Sequence, residues 1–397
     1  MKNIFKVAGF SLALSIAASC SEWLEPKSIN ETDLSATIKT DDYYKSLREW
    51  KQTPGLPQVF VWFDSWTASS PSSGGSLTGL PDSVTIASNW GAHAATTDKF
   101  MLSEAQKADM EYVQRVKGTK VVFTMFSRFP GECFPPETHP HWYNEDLTSY
   151  KYLDSDFGTS TNEEEVRPVI RRYAEDLYKS CIEAGYDGYD WDYEPGFGMD
   201  APGGRNCTPF YYNETQIKIF CDEMSYWFGP KAMDPERDRG GREMPAKRLL
   251  FIIDGACGTS YMGAYRGCKF DKMPADAFDY FVLQSYSSTD YNDRVSSVVE
   301  DAKLWGLTEE ETVAKTFLTE NFESYASSGG YFLNMSRYVH NGTQIGGCGI
   351  YRVGNDYNQG KGDYNGSPEY WFLRQGITEL YKTFRQQQTS QGESEQQ

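Results

Sequence analysis

A chain of 397 residues can bury a sizeable core, as one large domain or two ordinary ones. Its net charge of −18 argues against nucleic acid or an anionic membrane surface as a partner. Its four histidines are not at metal-ligand spacing, so a catalytic zinc is not expected, and no other metal or cofactor is assigned.

The first residues read as an export signal. Lys2 and Lys6 precede an apolar stretch from Val7 to Ala18, too short to be a good membrane span. The stretch ends Ala17-Ala18-Ser19-Cys20, which resembles a bacterial lipoprotein signal with Cys20 as the lipidated residue. Ordinary signal cleavage near Ala18 is the alternative. Residues 1–19 are thus assigned to the signal and 20–50 to a polar tether and entry segment. Within the latter, Tyr43, Tyr44, Leu47 and Trp50 recur at helical spacing.

From residue 51 to 385, short apolar runs alternate with helix-like segments. Strands are expected at Gln58–Phe63, Ser83–Ala87, Lys120–Phe126, the stretch after Gly185, Leu249–Asp254, Phe278–Tyr286, Thr316–Glu320 and Gly347–Arg352. Helices are expected after Ser103, over Asn162–Ala184, Thr215–Phe228, Arg294–Trp305 and Tyr370–Phe384. Eight strands alternating with helices predict a single-domain α/β fold, a (β/α)8 TIM barrel, with its active site at the C-terminal ends of the strands. Asn89 and Trp90, past the second strand, and Tyr351, in the eighth, are candidate substrate contacts. Residues 386–397 are rich in Gln, Ser and Glu and are expected to be disordered. Seven cysteines remain besides Cys20, an odd number. Cys207–Cys221 and Cys257–Cys268 are candidate local disulfides, with buried free thiols as the alternative.

The fourth expected strand carries Asp187-Gly188-Tyr189-Asp190-Trp191-Asp192-Tyr193-Glu194. Strand alternation sends Asp190, Asp192 and Glu194 to one face and the three aromatics to the other. Crowded acids are costly to bury unless they share protons, and that is how a carboxyl is kept protonated as a general acid. A solvated acidic edge strand would not normally carry three aromatics on its opposite face. A calcium loop would be richer in Gly and Asn.

This stretch resembles the signature of glycoside hydrolase family 18, Asp-Gly-x-Asp-x-Asp-x-Glu, at every fixed position. The resemblance implies the barrel fold, Glu194 as general acid, Asp192 as the residue orienting the substrate's N-acetyl group, and Asp190 sharing a proton with Asp192. It further implies that Tyr286 hydrogen-bonds the acetamide oxygen. Chitinases of this family usually carry Met two residues before that Tyr. Gln284 instead resembles the endo-β-N-acetylglucosaminidases, which cut the core of N-linked glycans. The expected partner is an N-glycan or another GlcNAc-containing glycan. The lipid anchor would be the only link to the membrane, at the outer membrane and beside a glycan importer. A chitinase, or a surface glycan-binding protein on the same barrel, are the rival readings.

Overall fold

A computed structural model describes residues 39–69, 74–90, 99–125, 133–152, 160–193, 213–255, 273–358 and 369–394. Eight parallel strands close into a barrel: β1 (Gln58–Phe63), β2 (Ile86–Asn89), β3 (Lys120–Met125), β4 (Gly188–Tyr193), β5 (Leu250–Gly255), β6 (Tyr280–Gln284), β7 (Thr316–Asn321) and β8 (Gly347–Tyr351). β1 pairs with both β2 and β8, which seals the ring. The expected (β/α)8 architecture is therefore the observed one.

Closure gives every strand an inner and an outer face. Phe60, Trp62, Ile86, Val122, Leu250, Ile252, Val282 and Phe317 form one apolar cluster inside the barrel. The alternate residues, such as Val61, Phe123, Tyr189, Phe251, Leu283 and Ile350, join the larger core under the helices. Small residues make room for the large inner ones. A Cβ on Gly349 would lie 2.4 Å from the Phe60 carbonyl oxygen, and one on Gly188 would lie 2.6 Å from that of Leu250.

The main helices are α1 (Asp41–Lys51), α2 (Glu104–Tyr112), α3 (Glu163–Ala184), α4 (Glu214–Met224), α5 (Tyr291–Lys303), α6 (Glu309–Lys315) and α7 (Trp371–Ser394). α2 starts where Ser103 and Gln106 cap each other reciprocally. α3 starts at Asn162, whose side chain accepts from the Glu164 amide. It stops at Gly185, whose φ of 91° disfavours a residue with a Cβ. That stop turns the chain directly into β4.

Among the features that differ from the sequence expectations, three bear on the main elements. β2 begins at Ile86 rather than Ser83. α6 was not anticipated, although Thr308 and Glu311 form a capping box at its start. α7 runs on to Ser394, so residues 386–394 are helical rather than disordered. Gln and Glu are good helix formers, and the stretch holds no proline to stop a helix already anchored by Leu373, Leu380 and Tyr381.

Cys181 and Cys348 are buried free thiols. Each expected disulfide includes a cysteine outside the described residues, as do the signal and Cys20.

Candidate active site

β4 separates its side chains as the alternation predicts. Tyr189, Trp191 and Tyr193 are fully buried on the outer face. Tyr189 stacks on Phe251 and Phe123, and its hydroxyl donates to the Met125 carbonyl at 3.0 Å. Trp191 lies 4.6 Å from Phe220 of α4, centroid to centroid. The outer half of the motif thus anchors β4 in the helical layer.

Asp190 and Asp192 point into the barrel, above the apolar cluster. Asp190 is wholly buried, and three other strands supply donors to one of its oxygens. Thr124 Oγ1 of β3 donates to Oδ2 at 2.7 Å, Trp62 Nε1 of β1 at 2.9 Å and Ser88 Oγ of β2 at 3.1 Å. Burial pushes the Asp190 carboxyl up to about 6, against the opposing hydrogen bonds from Thr124, Asp254, Trp62 and Ser88.

Asp254 ends the inner face of β5 and is the residue in register with Asp192. It is 1% exposed and accepts a hydrogen bond from Gln284 Nε2 of β6 at 2.9 Å. Asp254 and Asp190 are also within hydrogen-bonding reach of each other. Asp254 thus stands beside Asp190 in addition to Asp192, the proton-sharing partner that the family resemblance implies.

An aromatic surface borders these acids. Tyr351 at the end of β8 meets Trp62 edge-on at 6.0 Å, Trp90 edge-on at 5.3 Å and the stacked ring of Tyr286 at 6.0 Å. Burial lifts the Tyr351 phenol well above its ordinary range, and Glu323 adds to the shift. A neutral phenol and two half-buried rings beside carboxyls can take the apolar face of a sugar while the acids take its polar groups.

The structure thus brings together Asp190, Asp192, Gln284, Tyr286, Trp90 and Tyr351. Glu194 lies outside the described residues. Asn89 is not among the group and is corrected here: it occupies an outer position of β2, and its Nδ2 donates to the Tyr186 hydroxyl at 2.7 Å. Ser88 before it and Trp90 after it are the inner residues, so alternation excludes Asn89 from the mouth. Asp187, the first acid of the motif, also stands apart. It accepts from Gln114 at 2.9 Å, from the Val121 amide at 3.0 Å and from Lys247 at 2.8 Å, and so ties β3 and β4 together where β4 enters the barrel.

Sequence reasoning missed Trp62, Ser88, Thr124 and Asp254. Their one shared signal is position. Each is an inner residue near the C-terminal end of an apolar strand, where a polar or hydrogen-bonding side chain is out of keeping with the run before it. Among the described residues no group of three or more His, Cys, Asp or Glu is arranged to hold a metal ion.

A parallel barrel with carboxyls converging at its C-terminal mouth is an architecture that glycoside hydrolases share with other barrel enzymes. The chain belongs to glycoside hydrolase family 18: the model of its BT1044-like group matches residues 21–237, which include β1 to β4 and the whole motif. No curated protein matches the chain. Among solved structures, a selenomethionine form of BT1044 with a Glu-to-Gln substitution superposes with a TM-score of 0.57 at 22% identity, covering 90% of this chain and 97% of that one. The endo-β-N-acetylglucosaminidase of Cordyceps militaris, in apo form, gives 0.53 at 15% identity, covering 87% and 97%. A double mutant of the same fungal enzyme, in complex with fucosyl-N-acetylglucosamine-Asn, gives 0.52 at 14% identity with the same coverage. At these identities the likeness is one of fold.

Proposed function

We propose that the protein is an endo-β-N-acetylglucosaminidase that hydrolyses the GlcNAc-β-1,4-GlcNAc core of N-linked glycans with retention. The observation that carries this reading is Gln284. It stands where chitinases of the family usually have Met, and it holds a carboxyl of the acidic mouth. The fold shared with a fungal enzyme that was crystallised with fucosyl-N-acetylglucosamine-Asn, a sugar still joined to asparagine, supports it.

Family 18 enzymes are the substrate-assisted exception among retaining glycosidases. Glu194, two residues beyond Asp192 in sequence, donates a proton to the leaving oxygen. The substrate's acetamide oxygen attacks the anomeric carbon as that bond breaks, and a cyclic oxazolinium ion forms. Asp192 accepts a hydrogen bond from the acetamide N–H and offsets its positive charge. Tyr286 donates to the acetamide oxygen and holds it for attack. Water then opens the ring, giving up its proton to Glu194. Trp90 and Tyr351 take the sugar face. On this reading Cys20 carries lipid and holds the enzyme at the outer membrane, beside a glycan importer.

The test is incubation with a panel of N-glycoproteins and with chitin, followed by mass spectrometry of both products. One N-acetylglucosamine left on each asparagine, or one that also bears fucose, is expected. Asparagine converted to aspartate would overturn the mechanism. Chitobiose from chitin with glycoproteins untouched would move the function to a chitinase. Binding without release would leave a glycan-binding protein.

A further inference from the structure

We propose that Asp254 is a positioning residue of this site: it and Asp190 hold one proton between them, which fixes Asp190 and leaves Asp192 to carry the negative charge that meets the substrate. The inference rests on the catalytic reading above but on residues outside the motif.

Three carboxyls crowd the inner faces of two adjacent strands. Asp190 is 0% exposed, Asp254 1% and Asp192 3%. Three ionised acids so placed would repel one another with little water to screen them. The donors around Asp190 all converge on Oδ2, from Trp62, Ser88 and Thr124. Its other oxygen, Oδ1, is buried and accepts from no donor among the described residues. A second carboxyl, that of Asp254, stands within reach of Asp190. Two ionised carboxylates are acceptors only, so the contact is a hydrogen bond only when one of them is protonated. Gln284 fixes Asp254 from β6 through its Oδ1.

Around the pair stand Trp62 from β1, Ser88 from β2, Thr124 from β3, Asp192 from β4 and Gln284 from β6, with Tyr351 of β8 against the Trp62 ring. Of these Asp192 and Tyr351 titrate, and burial keeps the Tyr351 phenol neutral. One proton in the pair therefore lowers the charge that Asp192 must face. It also gives Gln284 a second reason to be where it is, since its amide orients the acid that Asp190 leans on.

The first test needs no substrate. Infrared difference spectra of the full chain, with aspartate carbon labelled, are recorded at pH 5, below the value of about 6 at which the Asp190 carboxyl titrates. A protonated-carboxyl component that the wild type has and Asp254→Asn lacks is expected, with the buried Asp356, itself raised to about 7, contributing equally to both. No such component in the wild type, or one unchanged in Asp254→Asn, overturns the proposal. The second test uses whichever glycan the wild type cleaves. Asp254→Asn puts a neutral amide in place of a protonated acid and should lose no more than about tenfold in kcat. Asp254→Ala removes the partner and should lose roughly 10²-fold in kcat with KM little changed. In Asp254→Asn the alkaline limb that comes from loss of the shared proton should vanish. An Asn variant as damaged as the Ala variant, with an unaltered pH profile, would sink the idea. If the wild type cleaves neither glycoprotein nor chitin, the functional reading fails while the infrared result still decides the pair.

Discussion

The two faces of β4 have the same length and nearly the same burial. Tyr189, Trp191 and Tyr193 are fully buried outside the barrel, and Asp190 and Asp192 are 0% and 3% exposed inside it. The outer residues meet rings, with Phe123, Phe220 and Phe251 among them. The inner acid Asp190 meets donors from three strands and a second acid. Burial alone therefore does not tell an anchor from a reactive group. What differs is what the surroundings return for the lost water. Apolar contact repays a ring in full. Hydrogen bonds repay a carboxylate only in part, and the remainder appears as a raised affinity for protons.

The largest expected effect comes from the last acid of the motif. Glu194→Gln should lower turnover of natural glycans by roughly 10²–10⁴-fold with an unchanged melting temperature. Steady-state rates beside a thermal melt check this, and near-normal turnover would remove Glu194 from its role. The outer face should break the other way. Trp191→Ala empties a closely packed site and should cost roughly 3–5 kcal/mol of stability. Urea unfolding measures that loss, and a cost below about 1 kcal/mol would show that the aromatic half is not an anchor.

Asp190 tests the comparison through pH. Its carboxyl is raised to about 6 in the folded chain, above the ordinary value of 3.8. Between these values the folded state binds more protons than the unfolded state, so stability falls as pH rises. The part due to Asp190 is fully present below about pH 4 and is lost as pH passes about 6. In Asp190→Asn that dependence should flatten, as urea midpoints at pH 4, 5, 6 and 7 would reveal. A variant whose midpoints track the wild type at all four would assign the titration elsewhere. The smallest effect belongs to Asn89→Ala. Losing its bond to Tyr186 should cost about 1 kcal/mol of stability and leave glycan turnover intact. A selective rise in KM would return Asn89 to the glycan site.

The eight strands, the facing of Asp190 and Asp192 and the role of Gly185 as a stop were legible because each depends on local rules. Alternation follows from the pleat, and an αL stop needs a residue without a Cβ. The same rule, applied from the right starting residue, would have sent Asn89 outward. It was misjudged because the inner face of β2 is not evident from a strand whose residues are all buried. α7 was cut short because the sequence past Phe384 has no apolar stripe, while the helix already begun at Trp371 carries it on.

By itself the sequence determined the family motif, the parallel barrel and the two-faced β4, since these rest on periodicity and on residues adjacent in the chain. Only the tertiary structure decided what each acid touches. Trp62, Ser88 and Thr124 reach Asp190 from 128, 102 and 66 residues away. Asp254, 64 positions beyond Asp190 in the numbering, meets it from the neighbouring strand. Barrel closure and strand stagger set those meetings. No local pattern encodes the stagger, because it is fixed by how all eight strands pack around the inner rings at once.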